Sequence, residues 1–257
     1  SADSLAEALK GGKVSGEITA TYETRDFDNA SSGYYEDNAY GVGSFALRYE
    51  TGVWNNLSLT SKFRTYGTLF EDEENDADSR FYDKDGSNKT VDLEELFLTY
   101  TPTSDVTVKA GRQFISSNWI NKTQDALKID AAFGDTSLEA IWSQRHGRIY
   151  SRDHRPMTKF NENKGVYQFT LAHKFNENIS VSAYDAIYPD VRDIIGGKIN
   201  AKLGDVSVGA HYATSKEDVS TVKDSNLLVL TASTSIAGFS PYVGYVKVDD
   251  DAAFPGY

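Results

Sequence analysis

Alternation of apolar and polar residues with a period of two is the feature that most constrains what this chain can fold into. In the segment 106–111, Val106, Val108 and Ala110 alternate with polar or small residues, and the segment 13–25 alternates in the same way. This period describes a β-strand with one apolar and one polar face. A strand of about 9–11 residues also has the length needed to cross a bilayer at a tilt, so the pattern fits a transmembrane hairpin as well as a soluble one.

The connections between these alternating segments distinguish a transmembrane β-protein from a soluble one. Tight turns are predicted at 51–56, 101–105, 134–135, 176–178, 204–205 and 237–238. Longer polar segments separate the resulting hairpins, at 26–38, 71–90, 116–124, 145–164, 189–193 and 214–225. Alternation of short and long connections is typical of outer-membrane barrels. The sequence therefore predicts an all-β fold, an antiparallel transmembrane β-barrel.

We expect a single barrel domain over residues 1–257, because no linker or charge block divides the chain. Residues 1–12 should form a short helix at the periplasmic end or as a plug, with Asp3 or Ser4 as its cap, Glu7 in the capping-box position relative to Ser4, and Gly11 and Gly12 as its stop. The pattern gives about 13 strands. A bacterial barrel has an even number of strands, and its last strand pairs with its first. We therefore expect about 14 to 18 strands in the complete barrel, with C-terminal strands missing from this sequence.

Composition narrows the class further. The mean hydropathy of −0.48 is polar, yet the chain contains 16 Tyr, 13 Phe and 3 Trp, as expected for aromatic girdles around a polar barrel. No run reaches the roughly 18 apolar residues of a membrane-spanning helix. The absence of cysteine excludes thiol and zinc–thiolate chemistry, and the net charge of −12 argues against a nucleic-acid partner.

Without a recognisable signal peptide, we expect the mature form of a Gram-negative outer-membrane protein.

Charged residues on the polar faces are predicted to line the lumen, while Val14, Ile18 and Tyr22 on the opposite face of the first strand should meet lipid. The candidate lining residues are Arg48, Lys62, Arg64, Lys109, Lys128, Lys198 and Lys202, with Glu17, Glu95 and Glu139. Arg112 is a further candidate whose parity in a regular strand is wrong for the lumen, so that it would need a bulge or the upper rim. Two interpretations stay open: the charges select solutes, or they pair with one another and serve stability.

The densest positive cluster lies in the predicted loop 145–164. It contains Arg145, Arg148, Arg152 and Arg155 against a single Asp153. Guanidinium groups bind carboxylate and phosphate well. The cluster could form an anion-attracting constriction; the alternative is an outer loop that binds lipopolysaccharide phosphates or a neighbouring subunit.

A cluster of opposite sign lies between 71 and 78. Glu71, Asp72, Glu73 and Glu74 are a weak candidate for a cation site, because hard cations favour carboxylates. Their spacing does not match an EF-hand, and a solvated outer loop is the preferred interpretation. We therefore predict no defined metal site and no cofactor.

Two segments carry a family resemblance. DSLAEALKGGKVSGEITATYE at 3–23 and LEELFLTYTPTSDVTVKAGRQFISSNWIN at 93–121 resemble OprD-type outer-membrane porins of the Campylobacterota, in a helix leading to the element Lys13–Gly16 and in a hairpin ending in Lys109–Gln113. The resemblance implies a barrel, commonly of 18 strands in that family, that passes small solutes, often carboxylates or amino acids.

The expected function is passive diffusion of small hydrophilic solutes, anionic or carboxylate-bearing, through an outer-membrane porin. Expected partners are outer-membrane lipid, lipopolysaccharide and the solutes, and assembly as a homotrimer is left open.

The four histidines, at 146, 154, 173 and 211, match no metalloprotease pattern, and no nucleophile elbow is present, so no enzyme is predicted. The alternatives are a non-conducting adhesin or structural barrel, and a soluble β-rich binding protein.

Overall fold

The computed structural model describes residues 1–26, 37–74, 76–81, 91–250 and 252–255. Within them the chain forms one antiparallel sheet of fourteen strands, one short helix (α1) and one helical turn (α2). The elements are α1 Leu5–Lys10, β1 Lys13–Arg25, β2 Asn38–Glu50, β3 Leu57–Glu71, α2 Asp78–Phe81, β4 Val91–Thr103, β5 Val106–Ser116, β6 Asn121–Phe133, β7 Thr136–Tyr150, β8 Asp153–Lys159, a 3-10 turn at Asn161–Asn163, β9 Val166–Lys174, β10 Ile179–Tyr188, β11 Arg192–Leu203, β12 Val206–Glu217, β13 Ser225–Thr234 and β14 Tyr242–Val248. The predicted all-β antiparallel fold with a short helix is confirmed. No helix in the described ranges has the length and apolar character needed to cross a membrane.

The strands follow one another in the sheet in chain order, with one exception. Strand β9 pairs with β7, and β8 pairs with β7 beyond the end of that pairing. Tight turns with glycine in the left-handed region, such as Gly134 and Gly204, join β6 to β7 and β11 to β12. Short turns of this kind lie at one end of the sheet, as the sequence pattern predicted.

The predicted loop 145–164 is wrong in its secondary structure. Strand β7 continues to Tyr150, and β8 returns beside it from Asp153 to Lys159. The ladder shifts register past Gln144 and again past Gly147. Each shift leaves an unpaired residue, after which the side chains of the strand point to the opposite faces. The segment therefore lacks a continuous alternation with a period of two. The fourteenth strand is the one hidden in this way.

Helix α1 forms as predicted. The Ser4 hydroxyl accepts a hydrogen bond from the Glu7 amide at 3.2 Å, and the Glu7 carboxylate accepts one from the Asp3 amide at 3.0 Å. Ala8 is buried where its carbonyl accepts a hydrogen bond from Gly52 at 2.9 Å. The helix is thereby fixed beside the turn between β2 and β3.

The two faces of the sheet have inverted polarity compared with a soluble protein. Apolar side chains on one face are exposed, with Ile18 at 86% and Tyr22 at 65%, whereas Arg64 and Gln168 on the other face are 1% and 0% exposed. Ile18 and Tyr22 on the exposed face of β1 are among the residues expected to meet lipid. An apolar outer face and a polar inner face are the arrangement of a barrel wall in lipid.

Contacts between distant strands show that the sheet is strongly curved. Six strand intervals would separate β1 and β7 by about 29 Å in a flat sheet. Nevertheless the Thr21 hydroxyl of β1 lies 3.4 Å from the carbonyl of Ser151, which follows β7 directly. The polar face is therefore concave and lines a lumen.

Candidate functional site: the lumen and its constriction

A hairpin crosses the lumen from β7 to the opposite wall. We call residues Arg145–Lys159, the end of β7 together with β8, the arginine hairpin. The Tyr66 hydroxyl donates to the Tyr150 carbonyl at 3.0 Å, Thr21 donates to Ser151, and His154 Nε2 lies 2.9 Å from Asp92 Oδ2. The hairpin is thus attached to β1, β3 and β4 and divides the lumen at this level.

The two faces of the arginine hairpin differ in chemistry. Ile149 and His154 are cross-strand partners on one face and are buried. Arg148 and Arg155 are partners on the other face, with half-exposed side chains. Asp153 is buried, and its two carboxylate oxygens lie 3.0 Å from Arg148 and 3.7 Å from Arg155. One carboxylate therefore orders two guanidinium groups.

The other two predicted arginines of the cluster, Arg145 and Arg152, are also exposed. Arg152 lies in the turn between β7 and β8, and Arg145 is near the base of the hairpin, opposite Lys159. The structure thus brings all four arginines together on one hairpin.

A second segment enters the lumen between β5 and β6. We call residues 117–120 the inner loop. The Trp119 amide donates to Gln168 Oε1 at 2.9 Å, and Asn118 donates to the Thr170 hydroxyl at 3.2 Å. The Trp119 ring lies 5.5 Å from that of Phe254 and 6.5 Å from that of His211. The inner loop thereby narrows the lumen along β9, β10 and β12.

Most of the predicted wall cations are neutralised by carboxylates. Arg64 donates to Glu94 at 2.7 Å and to Glu17 at 2.9 Å, and Lys62 lies 3.0 Å from Glu94. In the same wall, Arg48 lies 3.1 Å from Glu95 and 2.9 Å from Glu50. Between the neighbouring strands β6 and β7, Lys128 lies 3.2 Å from Glu139. For these residues the geometry matches the stability interpretation.

Glu94 is the member of this network that strand parity cannot predict. The ladder between β3 and β4 shifts register after the pair Lys62 and Glu95, so that Phe63 pairs with Leu93 and Glu94 is left as a bulge. Both Glu94 and Glu95 consequently reach basic side chains of the inner wall. A strand with two consecutive carboxylates before an apolar run is the only sequence signal of this bulge.

Arg112 lies within the wall rather than in the lumen. Its guanidinium makes a two-point contact with Asp125 at 2.7 and 3.1 Å and donates to the Leu93 carbonyl at 3.1 Å. The ladder of β4 and β5 ends at Leu96 opposite Arg112, so the Leu93 carbonyl lacks a ladder partner on that side. Arg112 supplies one, which makes it a structural residue of the wall.

The three remaining wall cations of the sequence prediction, Lys109, Lys198 and Lys202, differ from the others in their ion pairing. Among the described residues, no carboxylate forms an ion pair with Lys109, Lys198 or Lys202. The Lys109 ammonium lies 5.5 Å from the centre of the Phe97 ring, and that of Lys198 lies 5.9 Å from the Tyr184 ring. Lys198 lines a cavity of about 640 Å³ below the inner loop, and Lys202 lines one of about 790 Å³ nearer the short turns.

The acidic segment holds backbone amides instead of converging on one point. Glu71 accepts a hydrogen bond from the Ala77 amide at 3.0 Å, and Asp76 accepts bonds from Ala39 at 3.0 Å and Glu73 at 3.2 Å. In the part of the chain that the structure describes, no group of three or more histidine or acidic side chains is arranged for a metal ion.

Comparison with known proteins agrees with this architecture. The model of the family described as Campylobacter major outer membrane protein matches residues 1–138, more than half of the chain. A comparison with curated proteins finds no match.

Solved structures with the same fold are porins of other bacteria. Pseudomonas aeruginosa OpdO superimposes with a TM-score of 0.73 at 13% identity, over 96% of this chain and 67% of its own. Acinetobacter baumannii OccAB4 gives 0.69 at 13% identity, over 92% and 67%, and the P. aeruginosa structure "OpdK with Vanillate" gives 0.69 at 14%, over 93% and 67%. The chain spans about two thirds of the length of these neighbours. It belongs to the Campylobacter major outer membrane protein family, a family of outer-membrane porins.

Proposed function

We propose that this porin allows passive diffusion of small hydrophilic solutes and prefers those that are anionic or carry a carboxylate. The observation that carries the proposal is the arginine hairpin attached across the lumen. A solute crossing at this level meets four guanidinium groups and one carboxylate on the hairpin. In this proposal the whole sheet acts as one barrel domain with α1 at its periplasmic end, and neither a cofactor nor covalent chemistry takes part.

The distribution of charge supports the anionic preference. The wall cations Arg48, Lys62 and Arg64 are paired with carboxylates, and the field of such pairs falls off quickly with distance. The hairpin contains four arginines and one carboxylate, Asp153, and among the described residues no carboxylate forms an ion pair with Lys109 or Lys198. Charges at a constriction with low-dielectric walls act on ions more strongly than charges in open water. OpdK was solved with vanillate. At 14% identity, this chain is similar to OpdK in its fold alone.

The test is the reversal potential of single channels in a planar bilayer under a salt gradient. We expect an anion preference in the wild type and its loss in the variant Arg148→Gln/Arg155→Gln. The variant Lys10→Gln/Lys13→Gln removes the same charge in α1 and at the first residue of β1, at the opposite end of that strand from the hairpin contact at Thr21, and should match the wild type. A cation-selective wild type, or a hairpin variant with unchanged preference, would overturn the anionic part of the proposal.

A non-conducting barrel is the second candidate, because two inward segments occupy the lumen. Trp119 and Phe254 pack together from one side while the arginine hairpin crosses from the other. Conductance steps separate the two candidates. Steps that appear only with this protein support the porin, whereas a correctly folded protein that inserts without conductance would favour the structural barrel.

A further inference from the structure

We infer that Asp92 and the buried His154 position the arginine hairpin, and that through it these two residues control the ion preference of the lumen. The inference deepens the proposed function and rests on it for the sign of the preference. Neither residue needs to touch a solute, so both are positioning residues.

His154 is the most deeply buried side chain among those that attach the hairpin to the opposite wall. His154 is 0% exposed, and its Nε2 atom lies 2.9 Å from Asp92 Oδ2. Two other hydrogen bonds join the hairpin to the opposite wall in the described residues, from Tyr66 and Thr21 to backbone carbonyls, at 3.0 and 3.4 Å. A bond to a carboxylate in a buried place is stronger than a neutral bond of this kind. His154 is therefore expected to contribute most to the attachment.

Asp92 is itself held on the wall. Its Oδ1 atom accepts a hydrogen bond from the Leu93 amide at 2.8 Å and lies 3.9 Å from Arg112. Asp92 also pairs with Arg64 in the ladder of β3 and β4. A wall residue held in this way can fix the position of a side chain from another element.

The attachment is coupled directly to the arginines through the geometry of β8. Asp153 and His154 are neighbours whose side chains point to opposite faces of the strand. His154 therefore anchors one face to β4 while Asp153 orders Arg148 and Arg155 on the other. Releasing His154 should move the ordered arginines away from their place in the lumen.

The chemistry of the site defines a conservative substitution. Among the described residues, nothing hydrogen-bonds His154 Nδ1, and the ring edge packs on Tyr66 at 5.3 Å between centroids. The site therefore uses only the donor at the Nε2 position. The side-chain amide of glutamine can reach that position, whereas asparagine places its nitrogen near Nδ1 and does not reach Asp92.

The experiment compares His154→Asn with His154→Gln in the full protein in planar bilayers. His154→Asn should lower the ratio of anion to cation permeability at least about threefold and raise the unitary conductance, while His154→Gln should stay near the wild type. His146→Asn is the matched control, because His146 lies on the same hairpin but stacks on Phe160 at 4.1 Å rather than on the opposite wall. Heat-modifiable gel migration checks that each variant is folded.

A cross-link supplies a rescue that a merely structural role would not predict. The chain has no cysteine, so cysteines placed at Thr21 and Ser151 can be joined by a short, reducible thiol reagent. In the His154→Asn background, joining them should restore both the conductance and the ion preference, and reduction should abolish the rescue. Equal behaviour of His154→Asn and His154→Gln, or a cross-link without effect on the released hairpin, would overturn the inference.

These readouts distinguish the inference from the proposed function. A cation-selective wild type whose conductance still depends on residue 154 and on the cross-link contradicts the anion proposal and supports the positioning role. An anion-selective wild type that His154→Asn leaves unchanged supports the anion proposal and contradicts the positioning role.

Discussion

At the scale of residues, the inner wall depends on a buried ionic network around Arg64. This guanidinium is 1% exposed and donates to Glu94, Glu17 and Ser44. A buried ion pair adds little by itself, because desolvation offsets much of the attraction. Removing one partner is different, since the remaining charge stays buried.

We therefore expect Arg64→Met to destabilise the barrel by about 3 kcal/mol, because Glu94 would keep only Lys62 as a partner. Arg48→Met is the control. It removes a cation whose side chain is 36% exposed, and should cost less than about 1 kcal/mol. The measurement is the urea midpoint of heat-modifiable gel migration. Equal losses for the two variants would contradict the special role of Arg64.

Lys198 allows a second prediction at this scale. An ion about 8 Å away in water interacts with its charge by about 0.5 kcal/mol, which salt reduces to about 0.2 kcal/mol. Lys198→Glu reverses this contribution for anions and cations in opposite directions, so the permeability ratio should fall about threefold. Lys202→Glu lies on the same strand, in an exposed position by the short turns, and should change the ratio less. Reversal potentials decide between them; the opposite order would place the narrow region nearer Lys202.

How much of the site could be predicted follows from these examples. Residue type and parity identified Arg64 and Lys198 as polar side chains of the inner face, whereas the arginine cluster was noticed from residue type alone and predicted to lie in a loop. They could not identify Glu94 or the role of Arg112, since a bulge and the end of a ladder determine both. His154 was counted only as a histidine without a motif, because its partner Asp92 is 62 residues away in sequence. Long-range pairings of this kind leave no local pattern.

At the scale of elements, the alternation of faces is the property that the sequence determines best. The same alternation gives a prediction about β1. Ile18 lies near the middle of the strand and is 86% exposed on the apolar face. Ile18→Lys should cost about 2–4 kcal/mol of stability in lipid, because it places a charge at the level of the hydrocarbon.

Thr19→Lys is the matched control, since it adds the same side chain one residue further on, facing the lumen. Its cost should be below about 1 kcal/mol. Urea titrations of the folded protein in lipid vesicles measure both. A lumen substitution that is as costly as the lipid-facing one would mean that the faces are reversed.

At the scale of the whole molecule, net charge and local charge have opposite signs. The chain carries −12 overall, yet the arginine hairpin carries an excess of positive charge across the lumen. Exposed carboxylates such as Asp72, Glu73 and Glu74 follow the end of β3. The ion preference is determined either by the exposed carboxylates or by the arginine hairpin. The outcome depends on the distance over which each set of charges acts on an ion.

Ionic strength separates the two contributions and gives the last prediction. The Debye length is about 30 Å at 0.01 M salt and about 3 Å at 1 M. At low salt the acidic exterior reaches the mouth of the lumen and attracts cations; at high salt only charges that an ion nearly touches still act on it. The anion preference of the wild type should therefore increase as the mean salt concentration is raised at a fixed gradient ratio. In Arg148→Gln/Arg155→Gln the ratio should instead approach that of the free ions in solution. A wild type that becomes more cation-selective at 1 M salt would show that carboxylates, not the arginine hairpin, line the narrowest part of the lumen.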